Sequence, residues 1–489
     1  MQTQQTTQKE VGYVVAAKDY LLTISGLPSS RINDIILTPS GARALVTSME
    51  KNSLEALMLD EDRPKPGDII TKSEKNLSLP NPNHLLGRAI NPLGQILDNK
   101  APLPLDGITI DLDKTAPGID TREVIGKQII TGITIIDTLL PIGRGQRELL
   151  LGESRSGKSS IMLDMIVHQK NQNTICIYTA IGRSDVDVQK FIKSLEENDA
   201  FDYTIVIAAK SSESAPLIYI APSIACDIAD YFRNKGLDVL LIMDDLGTHS
   251  KYLREIALLS GRIPGRESYP ADIFYQHSHL VERAGNFNEN LGGGSITLLP
   301  VVEVDMDNFT GLIPTNVMSM TDGHLFFSAS LRSHGYYPSI EMDRSVTRVG
   351  RQTQPLIYKV LADRIRQLLA NFHELEKYSR FGSELSPDSQ LIIKRGSSVS
   401  LLLKQEPLQK IEYHIQLLLL ALIFTGFFDS KELDFVLKNK EKLIKVLSNN
   451  EIFKNFQEKI KKIDIDSLIN ELKTNLNILE NACASQANS

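Results

Sequence analysis

The stretch "LLLGESRSGKSSIMLDMI", residues 149 to 166, constrains this chain more than any other. It starts as an apolar strand, breaks at a glycine-rich loop around one lysine, and continues as an apolar-periodic helix. The loop Gly152, Glu153, Ser154, Arg155, Ser156, Gly157, Lys158, Ser159 fits the pattern GxxxxGK followed by Ser or Thr. In that pattern the glycines let backbone N–H groups close round phosphate oxygens and the helix N-terminus adds positive potential. Lys158 is placed to reach the terminal phosphates, and the Ser159 hydroxyl to ligate magnesium. The loop is therefore expected to hold a nucleotide, ATP or ADP, with Mg2+ as its counter-ion.

A second stretch, "DVLLIMDDLG", is an apolar strand ending in two acids. Phosphate-loop proteins put a carboxylate beside the magnesium at the carboxyl end of a central strand, so Asp244 is the expected metal partner, directly or through water. Between the two, "IYTAIGRSDVDVQKF" carries Arg183 near the place where a nucleotide-hydrolysing chain needs a water-activating glutamate. A cationic guanidinium cannot accept a proton from water, so hydrolysis at this chain's own loop is not expected.

Around these stretches the pattern divides the 489 residues into three parts. Residues 1–80 hold short alternating runs ("YLLTISG", "RALVTSM", "EALMLDE") separated by Gly, Pro, Asn and Asp, the spacing of a small antiparallel β-barrel. Residues 81–354 alternate strand-like and helical runs, which predicts an α/β core with a mostly parallel sheet. Residues 355–489 read as an α-helical bundle. The balance of 53 basic against 60 acidic residues, net charge -7, argues against a nonspecific nucleic-acid binder. Cys176, Cys226 and Cys483 lack metal-ligand spacing and read as structural thiols in a reducing compartment. No signal pattern opens the chain, and the longest apolar run, from Ile415, falls short of the roughly 20 residues that span a bilayer. The chain is expected to be soluble, or peripheral through partners.

Several long stretches, "PIGRGQRELLLGESRSGKS", "LLIMDDLGTHSKYLREIALLSGRIPGRESYPADIFYQHSHLVERAG", "GGSITLLPVVEVDMDNFTGLIPTNVMSMTDGHLFF" and "SVTRVGRQTQ", closely resemble the alpha subunit of F-type rotary ATP synthases. The resemblance runs from about Val11 through "FGSELS" near Phe381 and continues weakly beyond. It implies a RecA-like nucleotide-binding domain between the barrel and the helical bundle. It also implies three such chains alternating with three catalytic beta subunits round a gamma central stalk, bound at the cytoplasmic face of the inner cell membrane through an ion-translocating sector that moves protons or sodium ions. In that family alpha holds Mg-nucleotide without hydrolysing it. It also projects an arginine, matched here by Arg348, into the neighbouring catalytic site. Arg351 is expected to make a surface or interface ion pair instead.

The chain departs from the family at several places. Ser154 and Arg155 stand where alpha subunits usually have Arg and Gln, and Arg183 where they have Gln. Arg332 and Tyr337 replace a phenylalanine and an arginine of the adenine pocket. The segment between Gln405 and Pro407 is shorter than the loop whose glutamines contact adenine. About ten residues precede "VGYVV", where the family has a helical segment that meets a peripheral-stalk subunit, so that contact is expected to be reduced or met by a divergent partner. Two other readings stay open: a self-sufficient homohexameric export- or helicase-type ATPase, and a ring member that has lost nucleotide.

Overall fold

The computed structural model describes residues 10–98, 100–104, 107–305, 309–379, 386–454, 456–460 and 463–484; the first nine residues and the "FGSELS" segment except its last residue, Ser386, lie outside them. The chain divides into two compact units. One comprises residues 1–124, 147–151 and 170–322, the other 125–146, 152–169 and 323–489.

In the first unit, strands β1 (Val11–Lys18), β2 (Leu21–Gly26), β3 (Ile35–Leu37), β4 (Arg43–Met49), β5 (Ser53–Met58) and β6 (Ile69–Lys72) close an antiparallel barrel in the order 1-2-5-4-3-6. Alternation puts Val14, Leu22, Ile24, Val46, Leu54 and Ala56 inside, where they form one buried cluster with Ile36, Met58 and Ile70. Register is set by that alternation, since a one-residue slip would send the apolar set to solvent.

The same unit contains β7 (Arg88–Ile90), β8 (Glu148–Gly152), β9 (Thr174–Arg183), β10 (Thr204–Lys210), β11 (Asp238–Asp244) and β12 (Ser295–Glu303). Their order is 8-12-11-9-10-7, and β9 runs parallel to both β10 and β11, as β11 does to β12. Being covered on both faces, the middle strands are apolar almost end to end: "TIVIAA" in β10 is wholly buried. Helices α2 (Asp185–Glu197), α3 (Ala215–Arg233) and α4 (Leu246–Leu259) follow β9, β10 and β11, each a crossover that parallel pairing requires. Ser184 starts α2 by accepting from Asp187 N–H, and Asp245 starts α4 by accepting from Thr248 N–H. Leu21 and Leu57 of the barrel pack with Ala215 and Ile256, and Tyr20 O–H donates to Glu255 at 2.7 Å, which ties barrel to helices.

The second unit holds α1 (Lys158–Val167), β13 (Gly323–Phe327) and a helical part: α5 (Leu356–Ser379), α6 (Pro387–Leu403), α7 (Tyr413–Ala421) and α8 (Leu433–Asn449), then Ile465–Thr474 and Leu476–Ala484. The apolar run from Ile415 is α7 and the turn after it. Its residues Leu417 to Ile423 are fully buried, so the run is a core helix. No helix among the described residues is long and apolar enough to cross a membrane. An N-terminal antiparallel barrel, a mostly parallel α/β core and a C-terminal helical region are thus all present.

Candidate nucleotide-binding loop and strand-end acids

Strand β8 is fully buried up to Gly152, and the chain then turns through Glu153–Ser156 into α1. Gly152 is dictated by packing: a Cβ there would lie 2.3 Å from the Phe327 carbonyl oxygen. Gly157 is dictated by conformation, with φ of 97° at the helix N-cap, a left-handed value that favours glycine. With no side chain to cap α1, the helix presents its opening amides to an anion. Lys158 is buried at 4% exposure, and its ammonium donates to the Gly152 carbonyl at 2.9 Å, the Glu153 carbonyl at 2.5 Å and Ser156 Oγ at 3.3 Å. The cation is thus poised inside the loop. Ser154, Arg155 and Ser159 are exposed.

The loop is braced from the segment after β13. Glu153 accepts from Ala329 N–H at 2.9 Å, and Ser339 Oγ donates to the Ser156 carbonyl. The guanidinium of Arg332 reaches the loop as well: its Nε lies 3.8 Å from where a Gly157 Cβ would stand. Arg332 also lies over the ring of Tyr337 at 4.9 Å.

Asp164 and Tyr337 make the contact that sequence reasoning missed. Asp164 sits on α1 at 2% exposure, accepts from Tyr337 O–H at 2.5 Å and accepts from Leu408 N–H at 3.0 Å. An acid in the apolar run "IMLDMIV" was the available signal, because a buried carboxylate demands partners. Gln405 is equally committed. Its Oε1 accepts from Thr134 N–H at 3.0 Å and from Thr134 Oγ1 at 3.1 Å, while its Nε2 donates to the Gly132 carbonyl at 2.8 Å. Tyr337, Asp164 and Gln405 therefore brace this part of the unit from within.

Burial raises the Asp164 carboxyl to about 6, against the lowering effect of the Tyr337 hydrogen bond. A folded-state value above the unfolded one means that the folded chain binds the proton more tightly, so this group's contribution to stability is present below pH 4 and is lost as pH rises toward 6. We expect the stability difference between the native chain and Asp164→Asn, followed by urea unfolding from pH 4 to 7, to shift against the native chain by roughly 1–3 kcal/mol across that window. A flat difference would mean that Asp164 is not a buried, proton-binding carboxyl.

The strand-end acids belong to the first unit. Asp244 and Asp245 are 1% and 3% exposed. Asp244 accepts from Tyr178 O–H at 2.8 Å and from the guanidinium of Arg183, which also lies 3.5 Å from Asp245. The two acids raise the Arg183 pKa further above its already high value against the opposing effect of burial, so the guanidinium stays charged. Arg183 thus pairs with Asp244, lies beside Asp245 and has no proton-accepting capacity.

Arg348 follows the short strand Val346–Thr347, which pairs antiparallel with β13. Its neighbours are engaged: Arg344 lies over the Phe326 ring at 3.7 Å, Arg351 pairs with Asp363 at 2.5 Å, and Arg366 donates to the Leu139 carbonyl. Arg348 is exposed and makes no hydrogen bond or ion pair within the described residues.

Comparison with known proteins agrees with this architecture. The nucleotide-binding domain of the ATP synthase alpha/beta family matches residues 132–347, and the C-terminal domain of the ATP synthase alpha/beta chain matches residues 354–478. The ATP synthase subunit alpha of Acholeplasma laidlawii is 38% identical over 453 residues, covering 92% of this chain and 90% of the relative. That of Aquifex aeolicus is 38% identical over 459 residues, covering 93% and 91%. The ATP synthase subunit alpha 2 of Nitrosospira multiformis is 37% identical over 427 residues, covering 87% and 83%. With its phosphate-loop signature, barrel and helical region in family order, the chain belongs to the alpha subunits of F-type ATP synthases.

Proposed function

We propose that this chain is a nucleotide-holding, non-catalytic alpha subunit that supplies an arginine to a neighbouring catalytic beta subunit. Three copies alternate with three beta subunits round a gamma central stalk, and a peripheral-stalk subunit meets the ring. The assembly sits at the cytoplasmic face of the inner cell membrane, joined to it through the ion-translocating sector, and couples ATP synthesis to proton or sodium flow. The division into a barrel at 1–80, a nucleotide-binding domain at 81–354 and a helical domain at 355–489 belongs to the same reading. So does the absence of any nucleic-acid partner.

The observation that carries the non-catalytic reading is the Arg183 ion pair. Hydrolysis needs a group that orients and polarises the attacking water. At the expected position this chain has a guanidinium held by Asp244 and beside Asp245. Nucleotide holding rests on the loop from Gly152 to Ser159, whose amides and Lys158 ammonium suit the phosphates of ATP or ADP. The Ser159 hydroxyl is the group that would ligate a magnesium ion arriving with them. Arg348 fits the trans-acting role because it is exposed while its neighbouring arginines are engaged.

Mass spectrometry of the intact purified complex tests this reading, since it gives partner identity and bound nucleotide together. Three copies of this chain with three of a different phosphate-loop chain, plus nucleotide beyond what the other chain holds, is the expected result. A ring of six identical copies, or rings in which this chain is nucleotide-free, would replace it with one of the two other readings.

A further inference from the structure

Two segments of the second unit flank the start of α1. From the stretch after β13, Ala329 N–H donates to Glu153, Ser339 Oγ donates to the Ser156 carbonyl, and Tyr337 O–H donates to Asp164 at 2.5 Å. From the stretch after α6, Leu408 N–H donates to the other Asp164 oxygen at 3.0 Å. A base carried by loop-bound phosphates along this side of α1 would meet these segments. Most of their polar side chains are already committed within the protein. Tyr337 holds Asp164, and both Asp164 oxygens are engaged. Gln405 Oε1 accepts from the N–H and Oγ1 of Thr134, while its Nε2 donates to the Gly132 and Gln409 carbonyls. Gln409 Oε1 in turn accepts from Glu406 N–H at 3.2 Å. A site tells one base from another by polar groups turned to the base edge, because the wrong base leaves them unpaired.

Arg332 is engaged differently. Its Cδ and Nε lie 3.7 and 3.8 Å from where a Gly157 Cβ would stand, beside the left-handed turn that opens α1. Its guanidinium lies over the Tyr337 ring at 4.9 Å and makes no hydrogen bond or ion pair within the described residues. A half-buried cation with its N–H donors uncommitted thus stands beside the amides and the Lys158 ammonium of the loop. Cation and helix start favour the same kind of group, a phosphate.

We infer that Arg332 is a second phosphate-binding cation beside Lys158, and that the site recognises the phosphate chain of a nucleoside triphosphate and not its base. The inference rests on the reading of the loop Gly152–Ser159 as a nucleotide site, and it names the class of nucleotide which that site takes.

Equilibrium binding to the nucleotide-stripped full chain tests the inference, with ATP, GTP and inorganic tripolyphosphate as probes under one magnesium concentration. The native chain should bind ATP and GTP with dissociation constants within about threefold of each other, and tripolyphosphate should displace both. Arg332→Gln should weaken ATP and tripolyphosphate by about tenfold each. Arg332→Phe keeps a planar group over the Tyr337 ring but removes the charge, and should weaken both by the same factor. A native preference of about tenfold or more for one base overturns the inference and leaves the nucleotide reading intact. So does tripolyphosphate that displaces neither nucleotide. A charge-removing variant within about twofold of the native chain for ATP and tripolyphosphate also overturns it, since Arg332 would then only pack on Tyr337. A native chain that binds neither ATP nor GTP counts against the nucleotide reading itself and takes the inference with it. The comparison of ATP with GTP needs no variant, so it can overturn the inference even if neither substitution folds.

Discussion

Arg348→Ala in the assembled complex is expected to lower turnover by on the order of a thousandfold, about 4 kcal/mol of transition-state stabilisation, while ring assembly and nucleotide content change little. Charge builds on the oxygens of the transferring phosphoryl group as the bond to the leaving group loosens. A planar guanidinium with several fixed donors meets that charge better than a compact ammonium, so Arg348→Lys should fall nearly as far. The residue is exposed, follows a strand paired with β13, and is not drawn into a local ion pair as Arg351 is, which leaves its guanidinium available for the proposed role. Steady-state hydrolysis by intact rings checks this. A variant ring within about tenfold of the parent, a loss of only about 1.4 kcal/mol, would leave Arg348 as an ordinary surface arginine.

Lys158→Ala should separate holding from chemistry. The ammonium donates to the Gly152 and Glu153 carbonyls, so it is fixed where loop-bound phosphates would lie. Losing a charge-assisted contact of this kind should weaken nucleotide retention by this chain on the order of a hundredfold. Turnover of the assembled complex should stay within about tenfold of the parent if, as proposed, the reaction occurs at the neighbouring subunit's site. Bound nucleotide measured beside turnover on the same preparation checks both halves. If turnover vanished in rings that assembled normally and still released nucleotide normally, the loop in this chain would have to be catalytic.

Much of this was legible in the sequence because it depends on short-range pattern. The barrel follows from alternation in runs such as "YLLTISG", whose inward set Leu22 and Ile24 is fully buried. The phosphate loop follows from two glycines and a lysine at fixed spacing, and the α/β core from strands that are apolar almost end to end, such as β10. What spacing does not carry is pairing between residues distant in sequence. Asp164 with Tyr337 is separated by 173 positions, and Tyr178 with Asp244 by 66. Arg183 was readable as a residue that cannot activate water, yet its partners come from the next strand in the sheet, 61 positions on, and only pairing of β9 with β11 brings them together. Gln405 was legible as a member of a shortened loop. Its commitment to Thr134 and Gly132, 271 and 273 positions away, was not.

The central claim, that this chain holds nucleotide without splitting it and acts on a neighbour's site, is tested most directly by the steady-state ATPase of the purified chain free of beta subunit. With Arg183 in the place of the water-orienting group, hydrolysis should be negligible even when ATP is bound. Turnover at roughly 1 per second or more by the chain alone, a rate ordinary for an enzyme, would contradict it.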